Sequence, residues 1–252
     1  MAQPQDSAST PPEAGRRLPW TAGQALGVVV TFLVLVFVIV VILAFGLAGS
    51  GLVTGRHQLQ ALVSVLSAVL SPLTGLALAY WFLRRRSGVG VLVAALRGRA
   101  GRSWLGKVGV WALVGIGGGI LAQIGSAGIA TAESVVVKVQ SNNPLELMPQ
   151  LRHSPAYLWT IVVGAVLLAP VAEEILFRLV LYQGLRSRWG VALGIIGSAL
   201  VFSLAHLDPT AVPSLAFAGV MFAGAFELSG SLVPAMVAHA TFNLLAIIAA
   251  GR

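Results

Sequence analysis

The sequence predicts an all-α fold, a polytopic membrane helix bundle of about 7–8 transmembrane helices. Three observations carry that expectation. The chain is 57% hydrophobic and only 10% charged, where soluble domains carry about 25% charged residues, and its mean hydropathy is +0.91. Its apolar residues fall into successive runs that reach or approach the roughly 20 residues needed to cross a bilayer. The basic residues cluster at the ends of those runs: eleven of the sixteen Lys and Arg lie at Arg16 and Arg17, between Arg84 and Lys107, and at Arg186 and Arg188.

Taken in order, residues 1–19 are polar and rich in Pro, Ser and Ala, a composition too poor in apolar side chains to bury a core, and are expected to be a disordered N-terminal tail. Residues 20–252 are expected to form a single membrane domain. Its first run, Gly23 to Gly49, is much longer than the ~7–15-residue apolar region of a signal peptide and is read as a retained span. The second, Leu59 to Leu83, carries Pro72 as a kink and ends at Arg84-Arg85-Arg86. Val89 to Leu96 is too short to span and is read as an interfacial or re-entrant helix.

The third span runs from Trp104 to about Ala130, and its Gly115 and Gly119, four apart, permit close helix approach. Residues 131–155 are the longest polar connection, broken by Asn142-Asn143-Pro144 and Ser154-Pro155. A fourth span follows from Tyr157 to Leu185 and a fifth from Gly190 to His206. The sixth, Leu215 to Phe226, is closed by Glu227, and the seventh runs from Leu232 to Ala250.

The net charge of +8 does not point to nucleic acid, because the positive residues abut hydrophobic runs, as topology signals and anionic-lipid contacts do. Placing the three basic groups in the cytoplasm sets the N-terminus inside and lets the spans alternate consistently. The Arg-rich, Ala/Gly/Val-rich composition suggests a bacterial source and thus a multi-pass protein of the cell membrane. With no cysteine, disulfides, thiol nucleophiles and Cys-based metal sites are excluded.

The fourth run contains the polar group around which the rest is read: Glu173, Glu174 and Arg178, inside a chain with only eight acidic residues. An ionisable side chain at the centre of a membrane helix costs roughly 2.5–3.5 kcal/mol even on the lenient insertion scale, so three together must face protein or trapped water. Glu174 and Arg178 are spaced for an intrahelical ion pair. Glu173 points about 100° away from Glu174, toward different partners. Later spans add His206, and His239 with Asn243 one turn apart on a single face.

Amide hydrolysis requires an activated water, a general base, donors for the developing oxyanion and a proton for the leaving amine. A desolvated Glu can serve as base with a neighbouring His orienting the water, a second His and an Asn can donate to the oxyanion, and Arg178 can brace Glu174. Pro170, which lacks an amide proton, is expected to kink the helix and leave room for water beside the acids. Taken singly, each residue has a bland reading. Glu174–Arg178 reads as a structural pair, His206 as an interfacial residue, and His239 and Asn243 as interhelical hydrogen bonders. His57 and His153 read as loop residues, and Glu133, Glu146 and Glu227 as solvated span ends. Their joint occurrence is what favours a site.

The ordered set Glu173-Glu174-x-x-x-Arg178, Phe202-x-x-x-His206 and His239-x-x-x-Asn243 resembles the CAAX prenyl protease and bacteriocin-processing (CPBP, or Abi) family of intramembrane proteases. The resemblance covers about residues 155–250. It implies an all-helical membrane peptidase with a cavity open to one side: Glu173 as the base, His206 beside it, His239 and Asn243 on the oxyanion side, and Glu174 and Arg178 supporting. It leaves two mechanisms, one glutamate-dependent and free of metal, which we favour, and one in which Glu173, His206 and His239 hold zinc or another divalent metal; no His-Glu-x-x-His occurs. The expected partners are a peptide or protein substrate and membrane lipids. Bacterial members mostly lack prenylated substrates, so a prenyl peptide is not implied. The competing readings are a non-catalytic scaffold or immunity protein of the same fold, and a proton-coupled transporter. The transporter predicts dispersed charges and an internal repeat, which the sequence lacks.

Overall fold

In the computed structural model, residues 18–51, 55–86, 88, 90–136 and 154–250 are described, and all regular structure among them is helical. The expected tail falls mostly outside these residues, as do residues 137–153 of the polar connection, with Glu146 and His153. The described helices are α1 (Ala22–Gly49), α2 (Arg56–Arg86), α3 (Gly90–Arg97) and α4 (Trp104–Val136). A 50-residue helical run, Pro155–Leu204, follows, and then α7 (Val212–Ser229) and α8 (Leu232–Ala250).

The 50-residue run is two limbs, because Gly190 takes φ 83 and ψ 177 in its middle. Such a conformation is open to glycine and strained for any side chain. The chain doubles back there: Gly194 packs against the backbone of Arg186, and Gly197 against Leu185. We call the limbs α5 (155–189) and α6 (191–204). Six helical runs among the described residues are long and apolar enough to cross a membrane, fewer than the 7–8 expected, because the run expected as a separate fifth span is the short limb 191–204 behind the hairpin at Gly190.

Most boundaries agree with expectation, and α3, flanked by the 3-10 turn Gly98–Ser103, is the short helix between arginines. One boundary moves: α4 continues to Val136, past Ala130, so the polar connection begins later. Ser154-Pro155 is a helix start, Ser154 capping through the Tyr157 amide and Pro155 occupying the first turn, where its missing N–H costs nothing.

Lipid-facing side chains such as Leu113, Leu121 and Leu193 remain exposed, as expected where the solvent is hydrocarbon. In that solvent, helices associate through close packing of small residues more than through apolar burial. Gly115 and Gly119 do this work between α4 and α8. A Cβ at Gly115 would sit 2.8 Å from Pro234 O, and one at Gly119 would strike Ala238 O and Thr241. Gly164 seats α5 on α2 in the same way, its pro-Cβ position 2.6 Å from Ala68 O.

One end of the bundle is tied by polar contacts. Trp20 Nε1, just ahead of α1, donates to Val180 O of α5 at 3.1 Å and meets Phe82 of α2 edge-on. Arg99 donates to Glu227 O and Leu228 O, Ser231 Oγ donates to Leu96 O, and the Glu227 carboxylate accepts from Tyr182 Oη at 2.7 Å and pairs with Arg186 at 3.1 Å. Glu227, expected to be a solvated span end, is therefore the hub joining α5, α7 and the Gly98–Ser103 turn. Its pairing with Arg186 was hidden by a sequence separation of 41 residues.

Candidate functional site

The site is built on a stretch of α5 that leaves the α-helical register. Val163–Leu168 and Ile175–Tyr182 are π-helical, with the α-helical turn Ala169–Glu174 between them. Pro170 explains the first of these. Its ring excludes an ordinary helical carbonyl four residues back, and widening the turn to the i→i+5 register moves that carbonyl aside. In that register the Ala169 amide donates to Gly164 O, and the next donor in line for Ala165 O is Pro170, which has no N–H. Asn243 of α8 fills the gap, its Nδ2 donating to Ala165 O at 2.7 Å. The disruption expected at Pro170 thus takes the form of a π turn stitched to a second helix.

The two carboxylates do separate. Glu174 is fully buried, with Oε2 2.9 Å from Arg178 Nε and Oε1 2.9 Å from His239 Nδ1. Arg178 is equally buried, its Nη2 donating to Gly219 O of α7 at 3.3 Å. Its guanidinium carbon lies 4.9 Å and 5.6 Å from the ring centroids of Phe202 and Phe222. A desolvated cation over aromatic faces gains about 2 kcal/mol or more. The ion pair, the carbonyl and the two rings together hold a charge that hydrocarbon would reject.

His239 is fixed in the same packing. Its ring stacks on Phe222 at 4.8 Å with a 16° interplanar angle and meets Phe202 edge-on. Because a carboxylate only accepts, Nδ1 carries the proton donated to Glu174. Nε2 then faces Glu173, 3.8 Å from its Oε2. Glu173 is the partly open carboxylate, its side chain 16% exposed where that of Glu174 is 0%.

Glu173 lines a cavity of about 1430 Å³, whose wall also includes His206 and Asn243. His206 lies just past the end of α6, with Nδ1 2.9 Å from Phe202 O. A carbonyl cannot donate, so here too Nδ1 carries the proton and Nε2 is left for other partners. The limb 191–204 rises only about 20 Å, less than a ~30 Å hydrocarbon core, and His206 beyond its end is exposed on the cavity wall. Leu207 then turns the chain at φ 54, a left-handed conformation costing a non-glycine residue about 1–2 kcal/mol. Asp208 Oδ1 closes that turn by accepting from the Thr210 amide at 3.0 Å.

The structure thus brings Glu173, Glu174, Arg178 and His239 into one contacting group and ties Asn243 to the same helix through its backbone. His206 shares the cavity wall with Glu173, and no hydrogen bond or ion pair joins the two. Among the described residues no three His, Cys, Asp or Glu side chains converge as metal ligands. Glu173, His206 and His239 are therefore not gathered into the three-ligand set a catalytic zinc needs. Sequence reasoning missed Phe222, Gly219 and Ala165. Two of these act through backbone carbonyls, and the third is a phenylalanine in an apolar helix, so only the three-dimensional packing reveals them. His57 lies in the first turn of α2, where expectation had a loop.

Residues 155–245 match the family described as Rce1-like, type II CAAX prenyl endopeptidase Rce1-like. The match spans the limbs α5 and α6, all of α7 and most of α8, the segments that carry every residue of the site. No curated protein sequence and no solved structure matches the chain.

Proposed function

We infer from a chain whose residues 155–245 belong to the Rce1-like family of intramembrane CAAX-type proteases that it is an endopeptidase in which Glu173 activates water without a bound metal. The observation that carries this reading is the unequal environment of the paired acids. Glu174 is committed to Arg178 and His239, while Glu173 alone opens on the cavity.

In the proposed reaction a polypeptide lies in the cavity with its scissile carbonyl near Glu173. Glu173 removes a proton as water attacks the carbonyl carbon, with His206 Nε2 orienting the water. The oxyanion so formed is met by Asn243, whose amide has a second hydrogen beyond the one given to Ala165 O. It is also met by His239, acting as the imidazolium with Nε2–H. Glu174 on the far ring nitrogen stabilises that cation and fixes its orientation, the role a carboxylate plays behind any catalytic histidine. Glu173 then passes its proton to the departing nitrogen as the C–N bond breaks, so the enzyme ends as it began.

Cleavage of a quenched peptide library by the protein in proteoliposomes tests this reading. Wild-type turnover that Glu173→Gln abolishes supports it. Equal cleavage by both proteins removes Glu173 as base, and a wild type inert to the whole library favours a non-catalytic scaffold of the same fold.

A further inference from the structure

We propose that the basic end of the bundle binds the headgroups of anionic phospholipids, with Arg85, Arg97 and Lys107 as its principal contacts. This surface is separate from the cavity, whose wall includes none of the three, and its role does not depend on the peptidase reading. Arg84 to Arg86 close α2, Arg97 closes α3, Lys107 lies in the first turn of α4, and Arg188 stands near the end of α5. Contacts bring these segments to one end. Trp20 bridges Val180 of α5 and Phe82 of α2, Ser231 Oγ of the α7–α8 turn donates to Leu96 O of α3, and Arg99 and Arg186 both hold Glu227 or its carbonyl.

The protein does not balance the charge it gathers there. Glu227 is the one carboxylate at this end among the described residues, and it is taken by Arg186 and Tyr182 Oη. Arg84, Arg85, Arg86, Arg97, Lys107 and Arg188 are all exposed, and among the described residues none of them pairs with a carboxylate. Like charges so gathered repel one another. A bilayer surface carrying anionic lipid supplies the counter-charge that the chain lacks.

Exposed apolar side chains beside the cations favour a lipid over a soluble anion. Trp81 lies one turn before Arg85, Val93 one turn before Arg97 and Val110 one turn after Lys107, so each pair shares a face of its helix. The three apolar members are 53%, 44% and 56% exposed. The Arg85 guanidinium carbon lies 5.8 Å from the centroid of the Trp81 ring. In α2 and α4 the apolar member stands further from the helix end than the cation. A phospholipid has the same order, an anionic headgroup outside and acyl chains inside, and tryptophan is enriched at that boundary. Helix α3, too short to span, buries Ala95 and exposes Val93 and Arg97, as a helix lying in the interface does. A free phosphate offers nothing to the apolar half of these pairs, and an acidic polypeptide would have to enter the headgroup layer to reach it.

The test is quenching of tryptophan fluorescence by phospholipids brominated in their acyl chains, with the full-length protein in phosphatidylcholine vesicles. Trp81 and Trp189, both exposed at this end, are the nearby reporters. Brominated phosphatidylglycerol is compared with brominated phosphatidylcholine at equal mole fraction, for the wild type and for the triple variant Arg85→Gln, Arg97→Gln, Lys107→Gln. The wild type should prefer phosphatidylglycerol, and the triple variant should lose roughly tenfold or more of that preference, with an unchanged Tm in pure phosphatidylcholine. Inorganic phosphate added at matched ionic strength should leave the wild-type preference intact. A preference that survives the three substitutions overturns the proposal, and so does a variant that unfolds early without anionic lipid, since the cations would then hold the bundle itself. Loss of the preference to inorganic phosphate overturns it in favour of a soluble anion. Equal quenching by the two lipids overturns it too, in favour of an acidic polypeptide if the wild type also captures polyglutamate. Quenching requires no turnover, so a failure of catalysis and a failure of this proposal are read separately.

Discussion

Asn243 of α8 donates a 2.7 Å hydrogen bond to Ala165 O, the carbonyl that the widened turn of α5 leaves facing Pro170. The residue that the sequence marks as part of a chemical motif is therefore also a structural patch for a helix defect, and the two roles can be separated by mutation.

Asn243→Ala leaves Ala165 O without a donor and is expected to destabilise the protein by about 1–3 kcal/mol. Pro170→Ala restores an amide N–H opposite that carbonyl, so the double variant should be more stable than the sum of the singles, with a coupling of about 0.5–3 kcal/mol. Catalysis should not recover with it, because losing one oxyanion donor costs about 10²–10³ in rate. Thermal unfolding in detergent together with peptide cleavage checks this; strictly additive stabilities would mean that Asn243 does not substitute for the missing amide.

Removing Arg178 strands a buried acid. Arg178→Ala takes away the ion pair to Glu174 and the guanidinium over the Phe202 and Phe222 rings. Breaking a buried pair in this way typically costs about 3–5 kcal/mol. A marked fall in detergent Tm and in membrane yield is expected. An unchanged Tm would show that Glu174 does not depend on this partner.

The crossing of α4 and α8 leaves no room for a side chain at Gly119. Gly119→Leu should push the helices apart and displace Thr241, lowering Tm, while Gly117→Leu, whose Cβ would meet nothing within 4 Å, should be tolerated. Equal behaviour of the two variants would contradict this crossing.

Much of this was legible in the sequence, for physical reasons that differ by residue. Glu173, Glu174, Arg178, His239 and Asn243 stood out because polar side chains are costly in hydrocarbon and must be matched by one another. The six span-length helices followed from apolar length, and the α4–α8 contact from Gly115 and Gly119. What remained hidden depends on backbone register and on groups every residue possesses. The π turns around Pro170 have no periodicity signal of their own, and Gly219 O and Ala165 O are carbonyls without a distinctive side chain. Phe222 looks like any other apolar residue of α7. Glu227 lies at a span end, where solvation is the natural expectation, and only the return of α5 and the Arg99 turn to the same end makes it a hub.

Metal dependence separates the two mechanisms that the motif allows. With no three metal-ligating side chains converging among the described residues, cleavage should survive dialysis against a strong chelator such as 1,10-phenanthroline and should gain nothing from added zinc. Loss of activity on chelation that zinc restores would assign Glu173, His206 and His239 to a metal.

The division of labour between the adjacent carboxylates is tested most directly by comparing Glu173→Gln with Glu174→Gln for both Tm and peptide turnover in the same proteoliposome preparation. Glu173→Gln should keep the wild-type Tm and lose more than the 10²–10⁴ that general-base assistance contributes, because the same carboxylate also positions the water. Glu174→Gln should lower Tm, since it leaves Arg178 buried without its counter-charge. A Glu173→Gln protein that cleaves at the wild-type rate, or a Glu174→Gln protein of undiminished stability, would contradict the account.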